Sequence, residues 1–191
     1  LLLSSTPLTL AETASVFGEM MTFRTLLSES GSETKKYLLA SKIEDMINTV
    51  VRQISFFEFE KLVHTERKNG ELSSDQIFEF WMKTQSESLG PHIELTEGYK
   101  YFWTYIPHFI HTPFYVYAYA FGDCLVNVLI QLYDEGLPDF KNNYIELLKS
   151  GGSKHYSEVL KPFNVDLKNK DSWQKGLSMI SGLIDEFEKA I

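Results

Sequence analysis

The 191-residue chain is short of the features that mark several protein classes. It has one cysteine, Cys124, so no intrachain disulfide framework can form, and a reducing compartment is the expectation. Cys124 sits in the apolar run Cys124-Leu125-Val126, where a buried inert thiol is expected. No N-x-[ST] sequon occurs, which agrees with a cytoplasmic protein. Lys and Arg number 18 against 26 Asp and Glu, giving a net charge of -8. That balance argues against nucleic-acid binding, which needs clustered cations. There is no G-x-S-x-G, no glycine-rich phosphate loop and no Cys or His pairing at zinc-finger spacing.

Membrane signals are also missing. Leu1-Leu2-Leu3 is too short for the apolar region of a signal peptide and contains no initiator Met, so the chain is expected to begin partway through a longer protein. The most apolar stretch, Pro113 to Tyr133, carries Asp123, Asn127 and Gln131. An acid near the centre of a membrane span is costly, so a buried helix is expected there. With 43% hydrophobic residues, the chain has enough apolar material for a core of its own.

What is present is helical punctuation. Thr9-x-x-Glu12 reads as a capping box opening a helix to about Ser28. Ser32 to Asn69 contains no Pro or Gly and has Leu, Ile, Lys and Glu at helical spacing, which predicts one long helix or two nearly continuous ones. Ser73-x-x-Gln76 caps a third, ending near Gly90. Thr112-Pro113 is an N-cap and N1 pair for a helix to Gly136. Pro138 starts another, closed by Gly151-Gly152, and Ser153 a short one ending before Pro162. Asp171-x-x-Gln174 caps the last. No strand alternation competes, and the expectation is an all-α, multi-helix chain forming one compact unit.

Two groups of residues could carry chemistry. Glu12 and Glu19 are seven apart, which places them about 20° from each other on a helix. By spacing alone, Glu12 serves a cap and Glu19 is solvated. Tyr115, Tyr119, Asp123, Asn127 and Gln131 follow at four-residue steps, just after His108 and His111, and form a polar ridge on an apolar helix. By pattern alone these aromatics are core and the histidines simply hydrogen-bonded. His64, His92 and His155 have no motif partner and read as surface or capping residues, while Trp81 and Trp173 read as core.

A resemblance changes the weight of both groups. Ala11-Glu12-Thr13-Ala14-Ser15-Val16-Phe17-Gly18-Glu19-Met20 resembles the segment that follows H-E-x-x-H in the oligoendopeptidase F branch of the thimet oligopeptidase-like zinc metallopeptidases. Trp103 to Phe109 and Pro113 to Ala120 resemble the loop and helix that supply a histidine and tyrosines to substrate. Phe57-Glu58-Phe59-Glu60, Leu147 to Gly152 and Val165-Asp166-Leu167 agree with the same family. The likeness runs through nearly the whole chain, in order.

The resemblance implies the C-terminal helical part of a zincin-like oligopeptidase that hydrolyses short peptides with Zn²⁺. Glu12 would be the third zinc ligand and Glu19 would orient a ligating histidine. His108, Tyr119 and Tyr115 would be the catalytic donors, with His111 and Tyr117 contacting substrate. Tyr115, Tyr117 and Tyr119 compete for the role at the oxyanion, Tyr119 with Tyr115 being preferred because they share a face. One departure decides the activity: H-E-x-x-H is absent, so the expectation is a catalytic-domain fragment beginning just after it, inactive alone, with weak or no zinc binding. Such a piece would expose an apolar cleft and favour self-association. The alternative reading is a non-catalytic helical module that binds another protein.

Overall fold

The computed structural model describes Leu10 and residues 12–191. Among these residues all regular structure is helical. The α-helices are α1 (Thr13–Glu29), α2 (Ser32–Ile47), α3 (Gln53–Glu66), α4 (Ser74–Leu89), α5 (His108–His111), α6 (Tyr117–Asp134), α7 (Phe140–Ser150), α8 (Tyr156–Val159) and α9 (Lys170–Ala190). The all-α expectation holds. The single compact unit does not: the chain divides into two, one of residues up to Met46 together with Phe121–Ile191, the other Ile47–Ala120.

Several helix boundaries follow from local chemistry. Ser73 accepts from the Gln76 amide at 3.3 Å while Gln76 Oε1 accepts from the Ser73 amide at 2.9 Å, so α4 opens on the expected capping box. It closes at Gly90, whose φ of 73° suits glycine. The helical run from Ser32 to Asn69 is nearly continuous, with a wider π turn at Asn48–Arg52 and a tighter 3₁₀ turn closing it at Arg67–Asn69.

Other boundaries differ from expectation. Thr9 lies outside the described residues, and Glu12, at the N-cap of α1, makes no side-chain cap bond. Thr112-Pro113 does not open a helix, because Phe114 takes a left-handed backbone, φ 60°, and α6 starts only at Tyr117. The short helix α8 opens on His155 rather than Ser153, with the His155 ring accepting from the Ser157 amide. Asn169, not Asp171, caps α9, its side chain accepting from the Asp171 amide at 3.0 Å. An Asx side chain readily accepts from the amide two residues on, which sets the helix start upstream of Asp171.

The unit containing the termini is built around α6. Every residue from Gly122 to Ile130 is buried, as befits a helix packed on all sides. Among the described residues no helix is long and apolar enough to cross a membrane. Leu125 and Leu129 meet Leu147, Leu160 and Phe163 in one cluster, with Phe140 edge-on to Phe163. Helix α9 comes closest at Gly176: a Cβ built there would lie 2.5 Å from the Cys124 carbonyl oxygen. Cys124 itself is buried, and burial pushes its thiol up to about 12.

The Ile47–Ala120 unit has an aromatic core. Phe56, Phe59 and Trp81 are buried and ringed by Tyr99, Trp103 and Phe109. The Trp81 indole N–H donates to the Tyr99 carbonyl at 3.0 Å, and Ser55 and Gln85 pair across α3 and α4. Each such aromatic contributes roughly 1.5–3 kcal/mol by leaving water.

Two glycines of α9 separate packing from propensity. Gly176→Ala is expected to destabilise by about 1–3 kcal/mol or more, since backbone rather than a movable side chain blocks the methyl. Nothing lies within 4 Å of a Cβ at Gly182, so Gly182→Ala should stabilise by about 0.5–1 kcal/mol. Thermal unfolding of the two variants checks both signs.

Candidate active site

Glu12 stands where the chain enters α1. Its backbone carbonyl accepts from Ser15 Oγ at 3.0 Å, and its Oε2 lies 3.3 Å from the same hydroxyl. The stem of Glu12 rests against α6 at Gly122, where a Cβ would come within 3.2 Å of Glu12 Cβ. That is tighter than ordinary contact, so glycine is what lets the half-buried stem sit there. The cap that spacing assigns to Glu12 pairs it with Thr9, which lies outside the described residues.

Glu19 is two turns further along α1 and exposed, but not simply solvated. Its Oε1 pairs with the ammonium of Lys42, a lysine only 6% exposed on α2. Asp45 holds the same ammonium at 3.2 Å. Burial would lower the Lys42 pKa, but its bond to Glu19 and the charges of Glu19 and Asp45 outweigh that and raise it. Asp123 on α6 is 3% exposed and accepts from Asn127 Nδ2 at 3.0 Å. Burial is the main reason its carboxyl is pushed up to about 6, opposed by the Lys42 charge and the Asn127 bond. Sequence reasoning placed Asp123 and Asn127 on a ridge but missed Lys42, which reads as an ordinary surface lysine until α2 is packed.

The other unit brings together His108, Tyr115 and Tyr119. His108 Nε2 and the Tyr119 hydroxyl are 3.2 Å apart, the hydroxyl donating when that nitrogen is bare and accepting when it is protonated. The Tyr115 ring lies 5.6 Å from His108 and 5.3 Å from Tyr119, centre to centre. Tyr115 precedes α6 rather than riding on it, so the expected four-residue ridge begins only at Tyr119. Tyr117 packs edge-on against Phe57, 5.6 Å away, and not into this trio. His111 ends α5 and is exposed.

Beneath the trio lies a residue that went unassigned. Glu60 on α3 is 2% exposed, and its Oε1 accepts the Phe114 amide at 2.7 Å. Burial raises its carboxyl above the ordinary range, opposed by the Phe114 bond and by the charges of His64 and His108. The signal was in the sequence: with Phe56, Phe59 and Val63, Glu60 completes an i, i+3, i+4, i+7 face where an apolar residue belongs.

Catalytic zinc needs three protein ligands and an open position. Among the described residues no group of three or more His, Cys, Asp or Glu could hold a metal ion.

Residues 2–179 match the model of Peptidase family M3. The chain belongs to that family. It is 32% identical over 181 residues to an oligoendopeptidase F homolog of Borreliella burgdorferi, covering 94% of this chain and 30% of that protein. It is 31% identical to the oligopeptidase PepF of Bacillus subtilis, covering 95% of this chain and 27% of that one. The M3 chain thus spans about 30% of the length of the curated relatives it matches. Among solved structures, oligoendopeptidase-F from Enterococcus faecium matches 95% of this chain and 35% of its own, at 30% identity and a TM-score of 0.86. A peptidase structure from Chlamydophila abortus matches 98% of this chain and 32% of its own, also at 30% identity, with a TM-score of 0.87. Members of the family use zinc.

The buried carboxyl of Asp123 makes a pH test. Its pKa is about 6 folded against 3.8 unfolded, so its contribution to stability is fully present below pH 3.8 and is lost as pH rises through 6. The loss is on the order of 3 kcal/mol. Asp123→Asn should therefore gain on wild type between pH 4 and 7, and urea unfolding across that range measures the gain.

Proposed function

We propose that this M3 chain is the helical C-terminal part of the catalytic domain of a zinc-dependent endopeptidase that cleaves short peptides. The observation that carries the reading is the His108–Tyr119 pair. An imidazole nitrogen and a phenolic hydroxyl, 3.2 Å apart and half-buried, with Tyr115 beside them, make a ready pair of donors. Donors fixed in advance where charge develops on oxygen lower the barrier for attack on a peptide carbonyl. His108 and Tyr119 would hold the substrate oxygen as it becomes negative, Tyr115 would support their packing, and His111 and Tyr117 would contact the substrate chain.

Glu12 would give one oxygen ligand to zinc, whose chemistry is to polarise the carbonyl and acidify water. The Gly122 contact supports this role by letting the Glu12 stem sit close against α6. Glu19 would orient a ligating imidazole with its second oxygen while Lys42 holds the first. The two nitrogen ligands and the general base would come from the rest of the protein, which accords with a chain spanning about 30% of its relatives. A cytoplasmic location is supported by the single buried cysteine and the lack of sequons.

A second reading, a helical module that binds another protein or its own copy, is favoured by one observation. Tyr105 and Ile110 are 79% and 65% exposed, with Tyr101 and Phe102 also in water.

In the complete polypeptide, Glu12→Gln should lose zinc and peptide cleavage together, read by metal content and a quenched peptide. Retention of both removes Glu12 from the metal. Tyr119→Phe and His108→Ala should each lower kcat about 10²–10³-fold with smaller changes in KM. Unchanged turnover in both would remove this pair from the catalytic donors. The 191-residue chain alone should not cleave; zinc-dependent cleavage by it would overturn the division of ligands.

A further inference from the structure

We propose that Glu60 is a positioning residue for the His108–Tyr119 pair, its buried carboxylate fixing the turn that sets one side chain against the other. This rests on the reading of His108 and Tyr119 as substrate-facing donors.

The geometry of residues 108–119 is demanding. A short helix ends at His111, the chain reverses through Thr112 and Phe114, and α6 begins at Tyr117. Phe114 has φ 60°, a conformation that bulky side chains rarely adopt. In this conformation its amide is turned toward α3, and Glu60 Oε1 accepts it at 2.7 Å, short for an amide donor and typical of a charge-assisted bond. Aromatic contacts clamp the same stretch on both sides of the turn. Phe109 packs on Phe56 and Phe59, at 5.9 and 5.2 Å, directly after His108. Phe114 packs on Phe57 and His64, at 6.4 and 4.8 Å. Apolar contacts locate the segment against α3, but they are tolerant of sliding and rotation. The Glu60 bond is the directional one, and it acts on the residue whose backbone is strained.

A purely structural helix-core position would hold an apolar residue, as Phe56, Phe59 and Val63 do on the same face. Instead a carboxylate is buried there with Oε2 lacking any hydrogen-bond partner among the described residues. That desolvation is a standing cost, and it is offset at one place, the Phe114 amide. His64 on α3 and His108 on α5 oppose that cost electrostatically. The arrangement trades stability for the placement of one peptide unit, midway between the two donors in sequence.

Two near-isosteric variants of the chain separate reach from charge. Glu60→Asp keeps the charge but withdraws the acceptor by one methylene. Glu60→Gln keeps the reach and one acceptor but drops the charge. Two signals are read by NMR: amide hydrogen exchange at Phe114, and the His108 imidazole resonances, with Tyr119→Phe defining the broken pair. In Glu60→Asp the Phe114 amide should exchange about tenfold faster or more, and the imidazole should move to its Tyr119→Phe position. Glu60→Gln should keep both signals near wild type. In the complete peptidase, Glu60→Asp should lower kcat with little change in KM, and Gln at this position should restore it. Wild-type signals in Glu60→Asp, or loss of both in Glu60→Gln, would overturn the assignment. Neither NMR signal depends on metal or peptide, so failure of the donor reading of His108 and Tyr119 would show separately, as full activity of Tyr119→Phe.

Discussion

Within the Ile47–Ala120 unit, the hydrogen bond from the Phe114 amide to Glu60 ties the turn before α6 to α3. It compensates a left-handed Phe, a conformation that costs on the order of 1–3 kcal/mol, and so makes the chain turn instead of continuing as helix. Where α6 begins, and hence which way Tyr115, Tyr117 and Tyr119 face, follows from that turn. Tyr117 goes to Phe57 and the core, while Tyr115 and Tyr119 meet His108. A start at Thr112-Pro113 would have put Tyr115 on the helix and altered all three.

The other unit has its own polar anchor. Lys42 draws Glu19 of α1 and Asp45 of α2 around one buried ammonium, and its charge reaches Asp123 on α6. Such a cluster adds little net stability, because each ion loses water, but removing Lys42 leaves its carboxylate partners without their cation. Its effect is register: the Lys42–Glu19 pair ties α1 to α2 at a depth that apolar packing alone would leave loose. Glu19, proposed to orient a metal ligand, is thereby tied to the interior through Lys42.

What could be read in advance was what local chemistry decides. The Ser73–Gln76 box, the all-α class and the burial of α6 need only neighbours in sequence. The Thr112-Pro113 signal failed because a carboxylate 54 residues away captured the Phe114 amide. Asn169 displaced Asp171 as a cap because both are good caps and local pattern cannot rank them. In the candidate site, the His108–Tyr119–Tyr115 association was expected from resemblance, whereas the Lys42 and Glu60 contacts are tertiary. Glu60 was legible as an acid on an apolar helix face, yet its partner was not.

Cys124 has a practical consequence for experiments on this chain. Its thiol is enclosed on α6, where α9 approaches at Gly176, and burial holds it protonated at any ordinary pH. Thiolate, the form that reacts with oxidants and maleimides, is therefore scarce and out of reach. A single cysteine introduced on the surface would be the sole reactive thiol, so a spectroscopic label could be attached there without replacing the native residue or disturbing the contact it makes.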